Sequence, residues 1–147
     1  MKRAFALGAV ALALAAIPAE ASAEKYTGKT TGGTKITFKR DGAKVKNLKT
    51  MIFVTCVSLQ TPTPRSGIDF YQPPKSVRIG RESKQKKLQP SAVAGWDVTK
   101  NYAVKLSRKG KKVKGKLDLN YSFVQPDLYN PKIYICQGTT RFTAKPK

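Results

Sequence analysis

The 147-residue sequence contains no histidine and only eight acidic residues, against 29 lysines and arginines. Without an imidazole the chain has no Ser-His-Asp or Cys-His catalytic group, no histidine ligand for zinc and no histidine pH switch. Acid/base catalysis by carboxylates needs a pair in contrasting environments, and the few acids present do not form an obvious pair. The sequence therefore predicts a protein that is not an enzyme and that uses no cofactor or metal ion.

Three acidic residues lie in segments that we predict to be irregular, where functional groups tend to gather: Asp69, Asp97 and Asp127. A hydrolase built on these carboxylates is the enzymatic alternative. It lacks a recognisable partner group, so the expectation of a non-enzymatic protein stands.

Long apolar runs are also absent after residue 17. Lys2 and Arg3 precede an apolar run at residues 4–17, and the A-x-A motif at 21–23 follows it. This run is too short for a transmembrane helix, which needs roughly 20 residues, and the pattern is typical of a secretory signal peptide. We expect residues 1–23 to be a signal peptide cleaved near Ala23. Residues 24–147 would then form one secreted domain without a transmembrane segment, in the periplasm or at the cell surface.

Cysteine is scarce too, since Cys56 and Cys136 are the only two in the chain. In an exported protein the compartment is oxidising, and a disulfide between them is the expected state. It would close a loop of about 80 residues and stabilise the fold by limiting the unfolded chain. A reactive thiol and a metal ligand are the alternatives, but no histidine is present to activate a thiolate or to complete a ligand set.

What the mature sequence does contain is a period-two alternation of apolar and polar residues. This pattern predicts a hairpin formed by residues 98–106 and 113–123 around Gly110, and a second formed by 34–40 and 43–48 around Asp41-Gly42. Residues 51–59 begin with apolar side chains at every position, which predicts a central strand covered on both faces. Near the end, 132–137 and 139–145 predict two short strands or one bent strand with a bulge at Gly138.

Segments rich in proline and glycine separate these strands. Neither 60–76 nor 80–95 is predicted to hold a long regular element, although a turn or two of helix is an alternative near 83–88. The glycines of residues 28–33 predict a flexible segment before the first hairpin. Six to eight strands, hairpin connections and one central disulfide favour an all-β fold. The expected form is an antiparallel β-sandwich of immunoglobulin-like or jelly-roll type, with a small β-barrel as the alternative.

Positive charge is present in large excess. Removing residues 1–23 leaves 27 basic and 7 acidic residues, a formal charge of +20. Two basic runs without any acid lie on predicted loops and on a hairpin tip, and they are the candidate polyanion-binding residues: Lys84, Lys86, Lys87, Arg108, Lys109, Lys111, Lys112, Lys114 and Lys116. Such a field attracts anionic envelope polymers, lipid headgroups or, without sequence specificity, nucleic acid. The alternative is that the charge only keeps a secreted protein soluble.

Aromatic residues in predicted loops give a second candidate surface, formed by Tyr71, Trp96 and Tyr129. Exposed rings stack on sugars or anchor a protein partner, whereas rings in loops also often pack down over a small core. The sequence thus predicts a non-enzymatic exported domain that associates with anionic cell-envelope surfaces. A carbohydrate- or protein-binding module that uses these aromatic residues is the alternative.

Four short strings combine turn glycines, alternating strands and the two cysteines. They are YTGKT at 26–30, KITF at 35–38, KVKNL at 44–48 leading to Cys56, and YICQGTT at 134–140. Together they resemble small exported bacterial β proteins that have no assigned function, and the similarity covers most of the mature chain. The resemblance implies the fold and the export, and it implies no activity, catalytic residue or binding residue.

Overall fold

The computed structural model describes residues 22–61, 63–90, 97–126 and 129–147, and every structural statement below refers to these ranges. They form nine β-strands and no helix, so they include no helix that could cross a membrane. The strands are β1 (Glu24–Thr30), β2 (Lys35–Asp41), β3 (Lys44–Ser58), β4 (Arg65–Tyr71), β5 (Val77–Arg78), β6 (Glu82–Gln89), β7 (Val98–Lys109), β8 (Lys112–Gln125) and β9 (Lys132–Pro146).

The strands pair antiparallel in the order β4-β3-β2-β1-β9-β8-β7-β6, and the short β5 pairs with the start of β3. The end of β3 also pairs with β9, through residues 55–58 and 134–137. This contact closes β3, β2, β1 and β9 into a small four-stranded barrel. The remaining strands extend the sheet outside the barrel, with β4 and β6 as its two edges.

The core is built from the inward faces of these strands. The ring of Tyr26 stacks on that of Phe38, with 5.0 Å between the centroids, and Phe38 meets Phe142 edge to face at 6.0 Å. From the outer strand β4, the Tyr71 hydroxyl donates a hydrogen bond of 2.9 Å to the carbonyl of Ala103 on β7. The outer strands therefore pack against each other across one shared core.

The predicted disulfide is confirmed. Cys56 and Cys136 are direct partners in the β3–β9 register, and their Cα atoms are 4.0 Å apart. The bridge therefore lies at the contact that closes the barrel. It is consistent with an oxidising, extracytoplasmic location.

Both predicted hairpins are confirmed. Gly42 and Gly110 adopt positive φ angles of 56° and 58° in the β2–β3 and β7–β8 turns, a conformation that glycine adopts without steric cost. The all-β antiparallel prediction is confirmed as well. The four-stranded closure agrees in part with the barrel alternative, whereas a sandwich of immunoglobulin-like or jelly-roll type is not confirmed. The predicted signal peptide lies almost entirely outside the described residues.

Several local predictions are wrong. The segments predicted to lack a long regular element contain β4 and β6, and residues 83–88 are extended instead of helical. The prediction failed because these prolines lie outside the strands and do not interrupt them. Pro64 and Pro73 flank β4, and Pro90 follows β6. Residues 28–30 belong to β1, and β9 runs through Gly138 in unbroken register with β8, without the predicted bulge.

The prediction that residues 51–59 are covered on both faces is also wrong. Ile52 and Val54 are buried in the core, whereas Met51 and Phe53 are 42% and 51% exposed. Within the described residues, no layer covers the outer face of β3 at this point. The apolar run therefore reflects an exposed apolar surface in addition to the core.

Candidate functional site

The first candidate basic run lies on a strand instead of a loop. Lys84 and Lys86 are exposed on the outer face of the edge strand β6, in register with Ala103 and Asn101 of β7. Lys87 lies on the opposite face, because consecutive side chains of a strand alternate. It lines a separate depression with Lys46 and Lys75. The run therefore divides its charge between two faces of the sheet.

The second candidate run is divided between the outer face of β8 and the β7–β8 turn. Lys114 and Lys116 are exposed on the outer face of β8, and they alternate with the buried residues Val113 and Leu117. The other cations of the run are grouped at the turn: Arg108, Lys109, Lys111 and Lys112. Of these, the Arg108 side chain donates a hydrogen bond to the Gly110 carbonyl at 2.7 Å.

Lys114 and Lys116 contribute to an open groove of about 620 Å³ on the outer face of β7, β8, β9 and β1. We call it the cationic groove. Its lining contains five cations and no acid, and those cations are Lys29, Lys105, Lys114, Lys116 and Arg141. The hydroxyl-bearing residues Thr31, Ser107 and Thr143 also belong to the lining. The groove thus offers charge and hydrogen-bond donors together.

Strand register explains why cations from four strands meet here. Lys105, Lys116 and Arg141 occupy directly opposite positions on β7, β8 and β9. In the neighbouring row, Thr143 of β9 pairs with Lys114 on one side and with Lys29 of β1 on the other. Adjacent strands lie about 4.8 Å apart, so the register concentrates charges that are far apart in the sequence.

A second groove without acids, of about 410 Å³, adjoins the first on the outer face of β1, β2 and β3. Lys29 of the cationic groove is the register partner of Lys35 in the second groove, so the two are continuous across the β1–β2 pair. We call the two grooves together the basic face. The cations of the second groove are Lys25, Lys35, Lys39, Lys49 and Lys147.

Two acids border the cationic groove without entering its lining. Asp118 forms an ion pair of 3.1 Å with Lys116 and accepts a 2.6 Å hydrogen bond from Thr139. Glu82 lies opposite Lys105 in the β6–β7 register. Such exposed pairs contribute about 1 kcal/mol or less, so Lys116 remains available to a ligand. Like charges directly opposite each other in a sheet are destabilising. The row through Lys105, Lys116 and Arg141 therefore carries repulsion that a bound anion would relieve.

Asp69, one of the three candidate catalytic carboxylates, is held in an ion pair. The Lys100 Nζ donates to both carboxylate oxygens at 2.7 Å, and the two side chains are only 13% and 14% exposed. The same ammonium lies 4.9 Å from the ring centroid of Tyr121, and burial together with a hydrogen bond to Asp69 raises the pKa of Tyr121. Asp69 thus ties the outer strand β4 to the opposite strands.

The other two candidate carboxylates are Asp97 and Asp127. Asp97 is exposed and makes an interaction of its own, and Asp127 lies outside the described residues. Among the described residues, no group of three or more metal-ligating side chains occurs.

Replacing Asp69 with asparagine is expected to lower the free energy of unfolding by about 2 kcal/mol, because the mostly buried Lys100 loses its counter-charge. Urea denaturation of the purified domain measures this effect. The matched control is Asp41→Asn, which removes the exposed Lys46–Asp41 pair and should cost less than about 1 kcal/mol. Equal effects of the two changes would contradict a structural role of the Asp69 pair.

The predicted aromatic surface is not assembled in the described residues. Tyr71 lies on β4 and is fully buried, and its burial raises the pKa of the phenol that donates to Ala103. The prediction that Tyr71 lies in a loop is therefore wrong, and its burial agrees with the alternative that these rings pack over the core. Tyr129 is 95% exposed, and Trp96 lies outside the described residues.

Sequence reasoning missed three cations of the groove, Lys29, Lys105 and Arg141, because each stands apart from the basic runs. The sequence pattern that could have identified them was their outward position in alternating strands. Lys105, for example, stands between the buried residues Val104 and Leu106. Comparison with protein families, with curated proteins and with solved structures gives no match for this chain. The fold and the site thus define an all-β protein with one disulfide and a large basic face.

Proposed function

We propose that this protein is a non-enzymatic exported domain whose basic face binds anionic polymers of the cell envelope. The observation that carries the proposal is the cationic groove, in which five cations from four strands converge with no acid in the lining. A cleft lined by charge of one sign focuses the electrostatic field and raises the local concentration of opposite charge. The groove is therefore suited to phosphate, sulfate or carboxylate groups.

The extent of the basic face favours a polymer over a small anion. The face crosses six neighbouring strands from β7 to β3, which is roughly 24 Å along its curved surface. A single phosphate would occupy only one register row, whereas a chain of phosphates would contact both grooves through Lys29 and Lys35. The Arg141 guanidinium adds a planar donor that can bind an anionic group with two hydrogen bonds.

The competing explanation is that the charge only maintains solubility. Under that explanation, any two outward cations would contribute equally to binding of a polyanion. Under the proposed function, cations inside the cationic groove would matter more than cations elsewhere on the outer face. The chain offers a matched pair of variants for this comparison.

Reversing two groove charges in the double variant K114E/R141E is expected to weaken binding to long-chain inorganic polyphosphate at least tenfold. The slope of log affinity against log salt concentration should fall by about 2, because two phosphate contacts are lost. The control K84E/K86E changes the net charge equally on the outer face of β6, outside the groove. Binding of purified residues 24–147 is measured across a sodium chloride gradient, and retention on isolated cell envelopes is measured in parallel.

A larger loss of binding for K114E/R141E than for the control on both supports would bear out the proposed function. Equal losses for the two variants would contradict it and would assign the charge to solubility. Retention on polyphosphate without retention on envelopes would contradict the envelope as the source of the polymer.

A further inference from the structure

A second surface on the outside of the barrel is apolar. Most of the exposed large hydrophobic residues in the described chain lie on β3, β4, β9 and the residues just after β3, and each of these is 38% to 64% exposed. We call this surface the apolar face. It comprises Met51, Phe53, Val57, Leu59, Ile68, Phe70, Ile133 and Ile135.

The register groups the apolar face into two patches, which are separated by one row of exposed polar residues, Ser66, Thr55 and Gln137. Met51 lies directly opposite Phe70, and Phe53 lies opposite Ile68 on β4. On the other side of β3, Val57 lies opposite Ile135. Just after β3, the backbone amide of Leu59 donates a 3.0 Å hydrogen bond to the carbonyl of Ile133. Exposed apolar patches of this kind on a protein exterior mark an interaction site.

The apolar face and the basic face share two strands, β3 and β9. On its outer side, β3 changes from Lys46 and Lys49 to Met51 and Phe53 along the chain. Along β9 the order is reversed, from the isoleucines at 133 and 135 to the cations at 141 and 145. Since β3 and β9 are antiparallel and pair directly, their apolar segments lie side by side, whereas β2 and β1 lie between their cationic segments.

The two faces meet at the β1–β2 turn. The Phe53 ring covers Gly32, where an added Cβ would lie 2.8 Å from the ring. The preceding residue, Thr31, lines the cationic groove, and its hydroxyl accepts a 3.3 Å hydrogen bond from the Arg141 amide. Only one turn therefore separates the apolar face from the cationic groove.

We propose that the apolar face and the cationic groove together dock onto the surface of an anionic lipid bilayer. The inference rests on the proposed anion binding of the groove and extends it to lipid. Apolar side chains enter the boundary between headgroups and acyl chains, while neighbouring lysines and arginines are attracted to anionic headgroups. A soluble polyanion offers nothing to cover the apolar face.

Charge complementarity favours a bilayer over a second copy of the chain. A second copy would bring a further formal charge of about +20 next to the cationic groove, where repulsion would oppose the contact. An anionic bilayer instead supplies negative charge beside an apolar interior. An anionic bilayer therefore complements both the apolar face and the cationic groove.

The test is co-sedimentation of purified residues 24–147 with vesicles. Equimolar phosphatidylglycerol and phosphatidylcholine form the anionic vesicles, and pure phosphatidylcholine forms the neutral control. We expect binding to the anionic vesicles only. The variant F53S/I68S should lose at least tenfold in vesicle affinity and keep its affinity for polyphosphate, because the change removes apolar area without altering the charge.

Two further variants make the result interpretable. L88S replaces an exposed hydrophobic residue of β6 that lies outside the apolar face, and it should bind vesicles like the unchanged protein. I68S/F70S changes only the edge strand β4 and keeps the contact of Phe53 with Gly32, so it tests the same face if F53S/I68S does not fold. Thermal unfolding confirms the fold of each variant.

The outcomes separate this inference from the proposed function. Unchanged vesicle binding by a folded apolar-face variant would overturn the bilayer inference and leave polyanion binding intact. Undiminished polyphosphate binding by K114E/R141E would overturn the proposed function itself. A concentration-dependent dimer that binds no vesicles and is abolished by F53S/I68S would also overturn the inference, because a second copy would then cover the apolar face.

Discussion

Loss of the Cys56–Cys136 bridge is expected to lower the free energy of unfolding by roughly 2 to 5 kcal/mol. The bridge spans 80 positions of the sequence, so its removal releases a long loop in the unfolded chain. It also joins β3 to β9 where the barrel closes. A folded domain typically has only about 5 to 15 kcal/mol of total stability, so this loss would be large.

Chemical denaturation of oxidised and reduced protein measures the effect of the bridge. The reduced protein keeps both sulfur atoms, so the difference isolates the cross-link from the packing of Cys136 in the core. The variant C56A/C136A serves as the control, because reductant should not change its stability. A loss below about 1 kcal/mol on reduction would mean that hydrogen bonds and packing alone hold the β3–β9 contact.

The substitution Gly28→Ala is expected to cost about 3 kcal/mol or more, or to prevent folding, because β1 and β9 approach closely at this position. An added Cβ would lie 2.1 Å from the Thr143 carbonyl oxygen and 2.7 Å from the Ala144 Cα. Both are backbone atoms of β9, so no side-chain rotation relieves the clash. The β1–β9 pairing that completes the barrel would have to separate.

The matched control is Gly67→Ala on β4, where the nearest atom to an added Cβ is a Val54 methyl carbon at the ordinary distance of 3.8 Å. Thermal and urea unfolding of both variants measure the difference. Because Gly28 adjoins Lys29, a folded Gly28→Ala protein should also bind polyphosphate more weakly. Equal stability of the two variants would show that β9 moves away from β1 at no cost.

Local patterns predicted the parts of the fold that depend on neighbouring residues. Alternation identified the β2–β3 and β7–β8 hairpins, whose strands are joined by short glycine turns. The same reasoning failed at β4 and β6. At β4, flanking prolines concealed the strand. At β6, a mostly polar and basic sequence concealed the pattern, since an edge strand can be exposed along much of its length.

The candidate site was predicted only in part. Lys114 and Lys116 stand in a dense basic run and lie in the cationic groove. Lys84 and Lys86 stand in an equally dense run but lie outside the groove lining. Density of charge along the chain therefore did not indicate which cations line the groove.

The sequence by itself determined the strands of the two hairpins, two of the turns, the absence of imidazole chemistry, the pair of cysteines and the excess of positive charge. Each of these follows from composition or from residues close together in the chain. The tertiary structure decided that β3 and β9 close a barrel, that Tyr71 is buried, and that the apolar run of β3 has an exposed face. It also decided that Lys29, Lys105 and Arg141 share one groove. The physical reason is that alternation assigns each side chain to a face of its own strand, whereas the register between distant strands, set by closure of the barrel, decides which faces become neighbours.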